Sequence, residues 1–280
     1  MDRRLWPATA RVAHVSLRGL LDGVTFTEGE PFGVGASLVD LLRAPDGPRE
    51  RQLPRGDGFT VIDHAGGYVF GFATKDGYCG WLPEGCLLHR QVATHWVCSP
   101  GTHVYAAPKV QAASDVLPMG AQVRVTGWTG KFAEVPGGFV PVGHLRAIGD
   151  WLDDPVRVAE GLLGTPYLWG GNSRAGIDCS GLVQVAFAAC GIGLPGDSDL
   201  QESAGHAVEG PLRRGDLVFW RGHVAMIVDE DRLIHANGFT MSVAYEGLVA
   251  CIDRIGQEEG PVTARRRVLP ILTNRPDGSS

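Results

Sequence analysis

The sequence predicts an α+β protein, in which a β-rich amino-terminal half precedes helices that are followed by an antiparallel sheet. Short apolar runs recur between glycine- and proline-rich turns before residue 150, and the pattern becomes helical near Trp151. Four strand-like runs then follow between residues 216 and 245. Helices that precede a separate run of strands are typical of α+β folds.

Length and composition limit the possible classes of protein. The chain has 280 residues, which indicates two or three compact units, since an average domain has roughly 100–200 residues. A net charge of −6 without a basic run argues against a nucleic-acid binder. The sequence contains no apolar stretch of about 18 residues, so no membrane span is predicted. The first residues also lack the apolar run and cleavage site of a signal peptide, so we expect a cytoplasmic protein.

A weak internal repeat lies before residue 150. Its first copy contains Leu42-Arg43-Ala44-Pro45, Leu53-Pro54-Arg55-Gly56, Gly66-Gly67-Tyr68-Val69 and Gly80-Trp81-Leu82-Pro83. Its second copy contains Tyr105-Ala106-Ala107-Pro108, Leu117-Pro118-Met119-Gly120, Gly130-Lys131-Phe132-Ala133 and Gly138-Phe139-Val140-Pro141. Turn signals at this spacing predict small antiparallel barrels. We expect one barrel at 31–90, another at 91–149, and an extension at 1–30 that packs against a neighbouring unit.

The remaining unit, residues 150–280, begins with helix signals. Asp153 or Asp154 can cap a helix whose first turn contains Pro155. A second helix is predicted from Cys179 or Ser180 to Ala189, and a third near residue 198. The predicted strands are 216–220, 223–228, 232–236 and 241–245. The arginine run at 265–267 is expected to lie at a solvated strand edge.

Cys179 stands where a glycine-rich loop turns into the second predicted helix. A helix N-terminus stabilises a thiolate through its dipole and its free N–H groups. A neighbouring imidazole can lower the thiol pKa further and later protonate a leaving amine. Cys179 is therefore the candidate nucleophile.

His223 and His235 are the candidate imidazoles, and they stand twelve positions apart (235 − 223) on two predicted strands. A turn around Glu230-Asp231 joins these strands. If the loop has an odd number of residues, both rings share one face of the sheet and approach diagonally. His223 would then be the base and His235 would orient it. A two-residue loop would place the rings on opposite faces.

The other cysteines and histidines predict no further chemistry. No paired C-x-x-C spacing indicates zinc, and disulfides are not expected in a cytoplasmic chain. Five cysteines are expected to be small buried packing residues: Cys79, Cys86, Cys98, Cys190 and Cys251. The seven other histidines lack paired ligand spacing. We therefore predict neither a metal site nor a cofactor.

Five motifs of the second half stand in order: Gly164-Thr165-Pro166-Tyr167-Leu168-Trp169-Gly170-Gly171, Asp178-Cys179-Ser180-Gly181-Leu182-Val183, Arg214-Gly215-Asp216-Leu217-Val218-Phe219-Trp220, His223-Val224-Ala225 and Leu233-Ile234-His235-Ala236. Together they resemble the NlpC-type peptidases, a circularly rearranged branch of the papain-like cysteine peptidase fold. The first half resembles the bacterial SH3-like domains that accompany the cell-wall peptide recycling enzymes of this family. The resemblance implies Cys179 as nucleophile, His223 as base and His235 as the orienting residue.

The resemblance also implies roles for residues around the nucleophile. Tyr167 matches a tyrosine near the oxyanion, where its hydroxyl would act with the Cys179 backbone N–H. Asp178, Ser180 and Ser198 match positions that contact substrate, and Asp178 could bind a free α-ammonium. Purely structural roles remain open: loop packing for Tyr167, helix capping for Asp178, and an N-cap for Ser198.

Tyr78 matches a tyrosine of the first SH3-like domain that is expected to close the far end of the pocket. Its structural alternative is packing between this barrel and the catalytic unit. Asp46 and Glu50 are the candidates for an acidic group beside it.

The implied function is hydrolysis of the γ-D-Glu–diamino acid bond in murein tri- or tetrapeptides with a free N-terminal L-Ala, as in dipeptidyl-peptidase-VI-like enzymes. No cofactor, nucleic acid, membrane or obligate protein partner is expected. Three alternatives remain: a peptidoglycan hydrolase acting on intact wall, a thiol amidase or acyltransferase, and a peptide-binding module with an inactive peptidase domain.

Overall fold

The amino-terminal extension lies on the first set of strands. The computed structural model describes residues 1–268, so the last part of the predicted 150–280 unit, residues 269–280, lies outside the described residues. Strands β1 (Val12–His14) and β2 (Thr25–Thr27) pair in parallel. Thr9 and Arg11 each donate to the Asp63 carboxylate over 2.7 Å, which attaches the extension to the strand containing Asp63.

The first barrel is a seven-stranded antiparallel sheet in the order β5-β4-β8-β7-β6-β3-β9. Its strands are β3 (Glu30–Val34), β4 (Leu38–Leu42), β5 (Arg49–Pro54), β6 (Gly58–Ala65), β7 (Tyr68–Ala73), β8 (Cys79–Pro83) and β9 (Leu87–His89). Alternate residues point inwards, as Val39 and Leu41 do on β4. They form one core with Leu53, Phe59 and Leu82.

The second barrel repeats this plan with smaller strands: β10 (His95–Val97), β11 (Gly101–Tyr105), β12 (Ala113–Pro118), β13 (Gln122–Val123), β14 (Gly127–Thr129), β15 (Phe132–Val135), β16 (Gly138–Pro141) and β17 (Leu145–Ala147). They form sheets in the orders β12-β11-β16-β15-β14 and β13-β10-β17 around their own core. In both barrels the penultimate strand leads through a 3-10 turn into the last strand. The sequence repeat therefore corresponds to a structural repeat.

The two barrels differ in one turn. The offset between matching glycines is 64 at Gly66 and Gly130 (130 − 66) but 58 at Gly80 and Gly138 (138 − 80). The first barrel thus contains six additional residues (64 − 58), and the turn between β7 and β8 falls in this stretch. This turn contacts the predicted catalytic domain, which begins at residue 150, because Asp76 accepts a hydrogen bond from Gln184 over 2.9 Å.

The catalytic domain contains helices α1 (Pro155–Glu160), α2 (Cys179–Ala189), α3 (Ser198–Gln201) and α4 (Leu248–Glu258). Its strands are β18 (Asn172–Ser173), β19 (Gly176–Ile177), β20 (His206–Ala207), β21 (Leu217–Trp220), β22 (His223–Ile227), β23 (Arg232–Asn237), β24 (Ser242–Gly247) and β25 (Ala264–Arg267). The main sheet has the order β20-β25-β21-β22-β23-β24. The α+β prediction is confirmed, as are the starts of the first three helices; α4 was not predicted. No helix among residues 1–268 is both long and apolar enough to cross a membrane.

The prediction that residues 265–267 lie at a solvated strand edge is wrong. Strand β25 pairs with β20 on one side and with β21 on the other. Arg267 donates to both oxygens of Asp216, over 2.7 and 2.6 Å. Asp216 is 1% exposed, and a buried carboxylate needs such a partner. Arg267 of the charged run therefore serves an internal ion pair, whereas Arg265 is exposed.

Arg51 joins the first barrel to the catalytic domain. Its side chain is 2% exposed although it carries a guanidinium. The guanidinium donates over 2.9 to 3.2 Å to four acceptors of the catalytic domain: Asn172, Ser180, Gln184 and Asp197. A buried charge is tolerated only when its donors are satisfied in this way.

We expect Arg51→Met to lower the free energy of unfolding by about 3–5 kcal/mol, because it leaves buried acceptors without a donor. The matched control is Arg232→Met, whose side chain is 52% exposed and pairs with Asp229 at the surface. That change should cost at most about 1 kcal/mol. Urea unfolding followed by tryptophan fluorescence measures both, and equal losses would contradict the structural role of Arg51.

Candidate active site

Cys179 is the first residue of α2, directly after the glycine-rich loop. Asp178 caps this helix, because its Oδ1 accepts from the Gly181 N–H over 2.6 Å. Gly181 is required here, since a Cβ at this position would lie 2.4 Å from the Gly171 carbonyl oxygen. The close packing holds the N-terminus of α2 against the loop. The Cys179 side chain consequently sits, 6% exposed, at the start of a helix.

The hairpin that carries the two histidines has a three-residue loop. Met226 pairs with Ile234, and the Val228 N–H donates to the Arg232 carbonyl oxygen over 2.9 Å, which leaves residues 229–231 in the loop. The odd number of loop residues places both imidazoles on one face of the sheet, which is the arrangement predicted for an odd loop. Nε2 of His223 lies 2.9 Å from Nδ1 of His235.

The thiol lies against the start of the strand that contains His223. The Cys179 sulfur is 4.0 Å from the carbonyl oxygen of Gly222, the residue before His223. The backbone N–H of Val224, the residue after it, also hydrogen bonds to the sulfur. The sulfur of Cys179 therefore lies against the backbone on both sides of His223.

Burial keeps both groups uncharged. Burial, followed by the neighbouring Asp178 charge, raises the pKa of the Cys179 thiol to about 12, and the N–H groups of Val224 and Ser180 oppose this only in part. Burial, and then His235, lowers the pKa of His223 to about 3. The expectation of a lowered thiol pKa is therefore wrong for this structure, because desolvation of the thiolate outweighs the helix N-terminus. The neutral imidazole is able to accept the thiol proton.

Behind the histidines lies an ion pair that the sequence did not indicate. Nε2 of His235 is 3.1 Å from Oε2 of Glu246, and Arg254 donates to both oxygens of Glu246 over 2.9 and 2.7 Å. His235, Glu246 and Cys251 could supply three metal ligands within 4.8 Å of one another. However, the Arg254 guanidinium already neutralises the carboxylate, and its positive charge opposes a cation there.

One pocket in front of Cys179 collects the predicted site residues from distant parts of the chain: Tyr78, Tyr167, Asp178, Ser180 and Ser198. Burial, and then Cys179 and Asp178, raises the pKa of Tyr167, so its hydroxyl stays protonated as a donor. Trp169 also lines the pocket and is 70% exposed. The roles of these residues toward substrate stay predictions.

Asp178 and Ser180 are largely occupied within the protein. Besides capping α2, Asp178 accepts through Oδ2 from the Gly170 N–H over 2.8 Å. The Ser180 hydroxyl donates to Asp178 over 3.0 Å and accepts from Arg51. Both residues thus shape the loop next to Cys179.

Asp197 is the acidic partner of Tyr78, and sequence reasoning missed it. The Tyr78 hydroxyl donates to Asp197 Oδ2 over 2.9 Å. Asp197 is the N-cap of α3, with a positive φ of 56°, and Ser198 is the first helical residue, so the structural alternative of an N-cap role for Ser198 does not hold. Of the two suggested acids, Glu50 lines the pocket, whereas Asp46 accepts from Tyr68 over 2.6 Å elsewhere on the barrel.

Two arginines of the extension reach into the same pocket. Arg3 binds both carboxylate oxygens of Glu50. Arg4 donates to Asp197 over 2.7 Å and to Asp199 over 2.8 Å. No spacing or motif in the sequence places these residues near Cys179, because the contact spans more than 170 positions (179 − 4).

Two family models match segments of this chain: the NlpC/P60 family at residues 164–250 and the bacterial dipeptidyl-peptidase SH3 domain at residues 41–87. The gamma-D-glutamyl-L-lysine dipeptidyl-peptidase of Bacillus cereus is 28% identical over 237 residues, 69% of this chain and 69% of the relative. That of Bacillus subtilis is 34% identical over 106 residues, 35% of each chain. This chain is a cysteine peptidase with an NlpC/P60 domain.

A solved structure supports the fold of the peptidase. The crystal structure of an NlpC/P60 family protein from Bacillus cereus superposes with a TM-score of 0.75 at 24% identity, covering 86% of this chain and 100% of its own. The matched NlpC/P60 segment contains Cys179, His223 and His235. The matched SH3 segment contains Glu50 and Tyr78. The pocket of the peptidase is therefore built from both matched segments.

The lowered pKa of His223 predicts the acidic limb of the pH profile. A histidine base works only while neutral, and burial moves its protonation from the ordinary 6.5 to about 3. We expect kcat/KM to stay constant as the pH falls through 6.5 and to decline only toward pH 3. Initial rates across this range test the prediction, and an inflection near 6.5 would contradict it.

Proposed function

We propose that the peptidase hydrolyses the γ-D-Glu–diamino acid bond of short murein peptides that carry a free N-terminal L-Ala. The observation that carries this proposal is the acidic part of the pocket, where Tyr78, Asp197 and Glu50 lie together with Cys179. The names of the Bacillus relatives, gamma-D-glutamyl-L-lysine dipeptidyl-peptidases, support the same bond. Recycling of such peptides in the cytoplasm belongs to the proposal.

The chemistry is acyl transfer to water through a thioester. The Cys179 sulfur attacks the γ-carbonyl carbon of D-Glu while His223 takes the thiol proton. The Tyr167 hydroxyl and the Cys179 backbone N–H donate to the resulting oxyanion. The C–N bond then breaks as His223 protonates the departing amine. Water, deprotonated by His223, attacks the thioester and releases the dipeptide and the free thiol.

Charge explains why the pocket would select a free amine. Its lining includes four carboxylates, from Glu50, Asp178, Asp197 and Asp199, and two guanidiniums, from Arg3 and Arg4. The formal balance of the lining is two negative charges (4 − 2), which one α-ammonium would halve. An acylated amine lacks this charge and adds bulk against the Tyr78 wall, so polymeric wall is a poor fit.

Mass spectrometry of digests of L-Ala-γ-D-Glu-meso-diaminopimelate, free and N-acetylated, tests the proposal. We expect cleavage of the free peptide only, its loss in Cys179→Ala, and its retention in Cys190→Ala, a matched control near the far end of the same helix. Cleavage of both peptides, or of intact sacculi, would contradict the recycling proposal and indicate a wall hydrolase instead. Transfer of the acyl group to an added amine in preference to water would indicate an acyltransferase.

Arg4 bears directly on substrate affinity. Its guanidinium already occupies Asp197, so an incoming ammonium must compete with it for that carboxylate. We expect Arg4→Ala to lower KM for the free peptide about three- to tenfold at similar kcat. Arg11→Ala, which removes a pair with Asp63 on the barrel surface, is the control. A higher KM in Arg4→Ala would instead make Arg4 part of the binding surface.

A further inference from the structure

We propose that Glu246, held by Arg254, is a positioning residue that sets the tautomers of His235 and His223 and so keeps one nitrogen of His223 free to accept the thiol proton. The proposal rests on the base role of His223 in the proposed function. It concerns residues outside the pocket that binds substrate.

The geometry places the carboxylate behind the histidine pair. On β24, Glu246 pairs with Leu233 of β23, so Glu246 and His235 are diagonal neighbours on one face of the sheet. The His235 side chain is buried, and its Nε2 lies 3.1 Å from Oε2 of Glu246, off the line of an ideal hydrogen bond. At this distance Glu246 is the carboxylate that faces Nε2 of His235.

The carboxylate is itself fixed in place. Arg254 of α4 donates to both of its oxygens, and this guanidinium also stacks over the Phe239 ring at 4.5 Å from the ring centre. The charged and titratable groups facing His235 are thus His223 from β22, Glu246 from β24, and Cys251 with Arg254 from α4. Arg254 lowers the pKa of Glu246, so this group remains a carboxylate, which accepts hydrogen bonds and donates none.

The carboxylate of Glu246 fixes the proton positions on His235 and then on His223. Because Glu246 only accepts, the proton of neutral His235 belongs on Nε2, and its Nδ1 is an acceptor. His223 must then donate from its Nε2 across the 2.9 Å contact. The remaining nitrogen of His223, Nδ1, is left with a lone pair. Without the carboxylate, the opposite set of tautomers would place a proton on that nitrogen and block its use as a base.

The substitution Glu246→Gln tests these proton positions with little change in the shape of the side chain. Arg254 should bind the amide oxygen and turn the amide N–H toward His235, which reverses both tautomers. We expect kcat to fall at least about tenfold with KM changed less than about twofold, as for other residues that orient a catalytic histidine. The matched control is Glu258→Gln, which removes another carboxylate from Arg254, at 3.5 Å, without touching His235. Glu246→Asp should restore part of the activity.

Two readouts need no substrate and so separate this proposal from the proposed function. Nitrogen-15 NMR of the imidazoles should show protonated Nε2 on both histidines in the unmodified chain and in Glu258→Gln, and protonated Nδ1 in Glu246→Gln. Iodoacetamide should alkylate Cys179 at neutral pH at least about tenfold more slowly in Glu246→Gln, in line with the loss in kcat. If Glu246→Gln does not fold, Glu246→Asp and Arg254→Lys are compared by the same NMR signals. Unchanged tautomers, or a kcat equal to that of Glu258→Gln, would overturn the proposal.

Discussion

A buried guanidinium decides how the two halves of this peptidase meet. Arg51 extends its side chain from strand β5 of the first barrel. Its guanidinium is surrounded by acceptors from the segment before Cys179, from α2 and from the residue that precedes α3. An ionised group removed from water is tolerated only when its donors are satisfied, so one relative position of the barrel and the catalytic domain is favoured. In that position Tyr78 and Glu50 line the pocket.

Desolvation also sets the character of the reacting groups. The position that buries Cys179 against β22 raises its pKa, and the burial of His223 lowers the pKa of the imidazole, so the resting pair is neutral. Charge is instead placed at the two ends of the site. The carboxylates and arginines of the pocket lie on the substrate side, and the Glu246–Arg254 pair lies behind the histidines.

Local signals predicted much of the fold because their physics is local. Asp154 followed by Pro155 starts α1, and Asp178 before Cys179 starts α2, since a side-chain cap acts within one helical turn. The barrel repeat was visible because turn residues recur at similar spacing. The additional residues around Tyr78 were also visible as a change in that spacing, although their contact with the catalytic domain was not. Whether the loop between the two histidine strands has an odd or an even number of residues could not be predicted, because it follows from the register between β22 and β23.

The sequence by itself determined the α+β class, the candidate nucleophile Cys179 at a loop-to-helix junction and the two histidines spaced for one hairpin. Tertiary structure alone decided which charges surround them. Arg3, Arg4, Arg51, Asp197 and Glu246 reach the site through contacts between separate elements, and no local pattern marks a residue whose partner lies elsewhere in the chain. Tertiary structure likewise decided the protonation of Cys179 and His223, because desolvation depends on all the atoms that exclude water from a group.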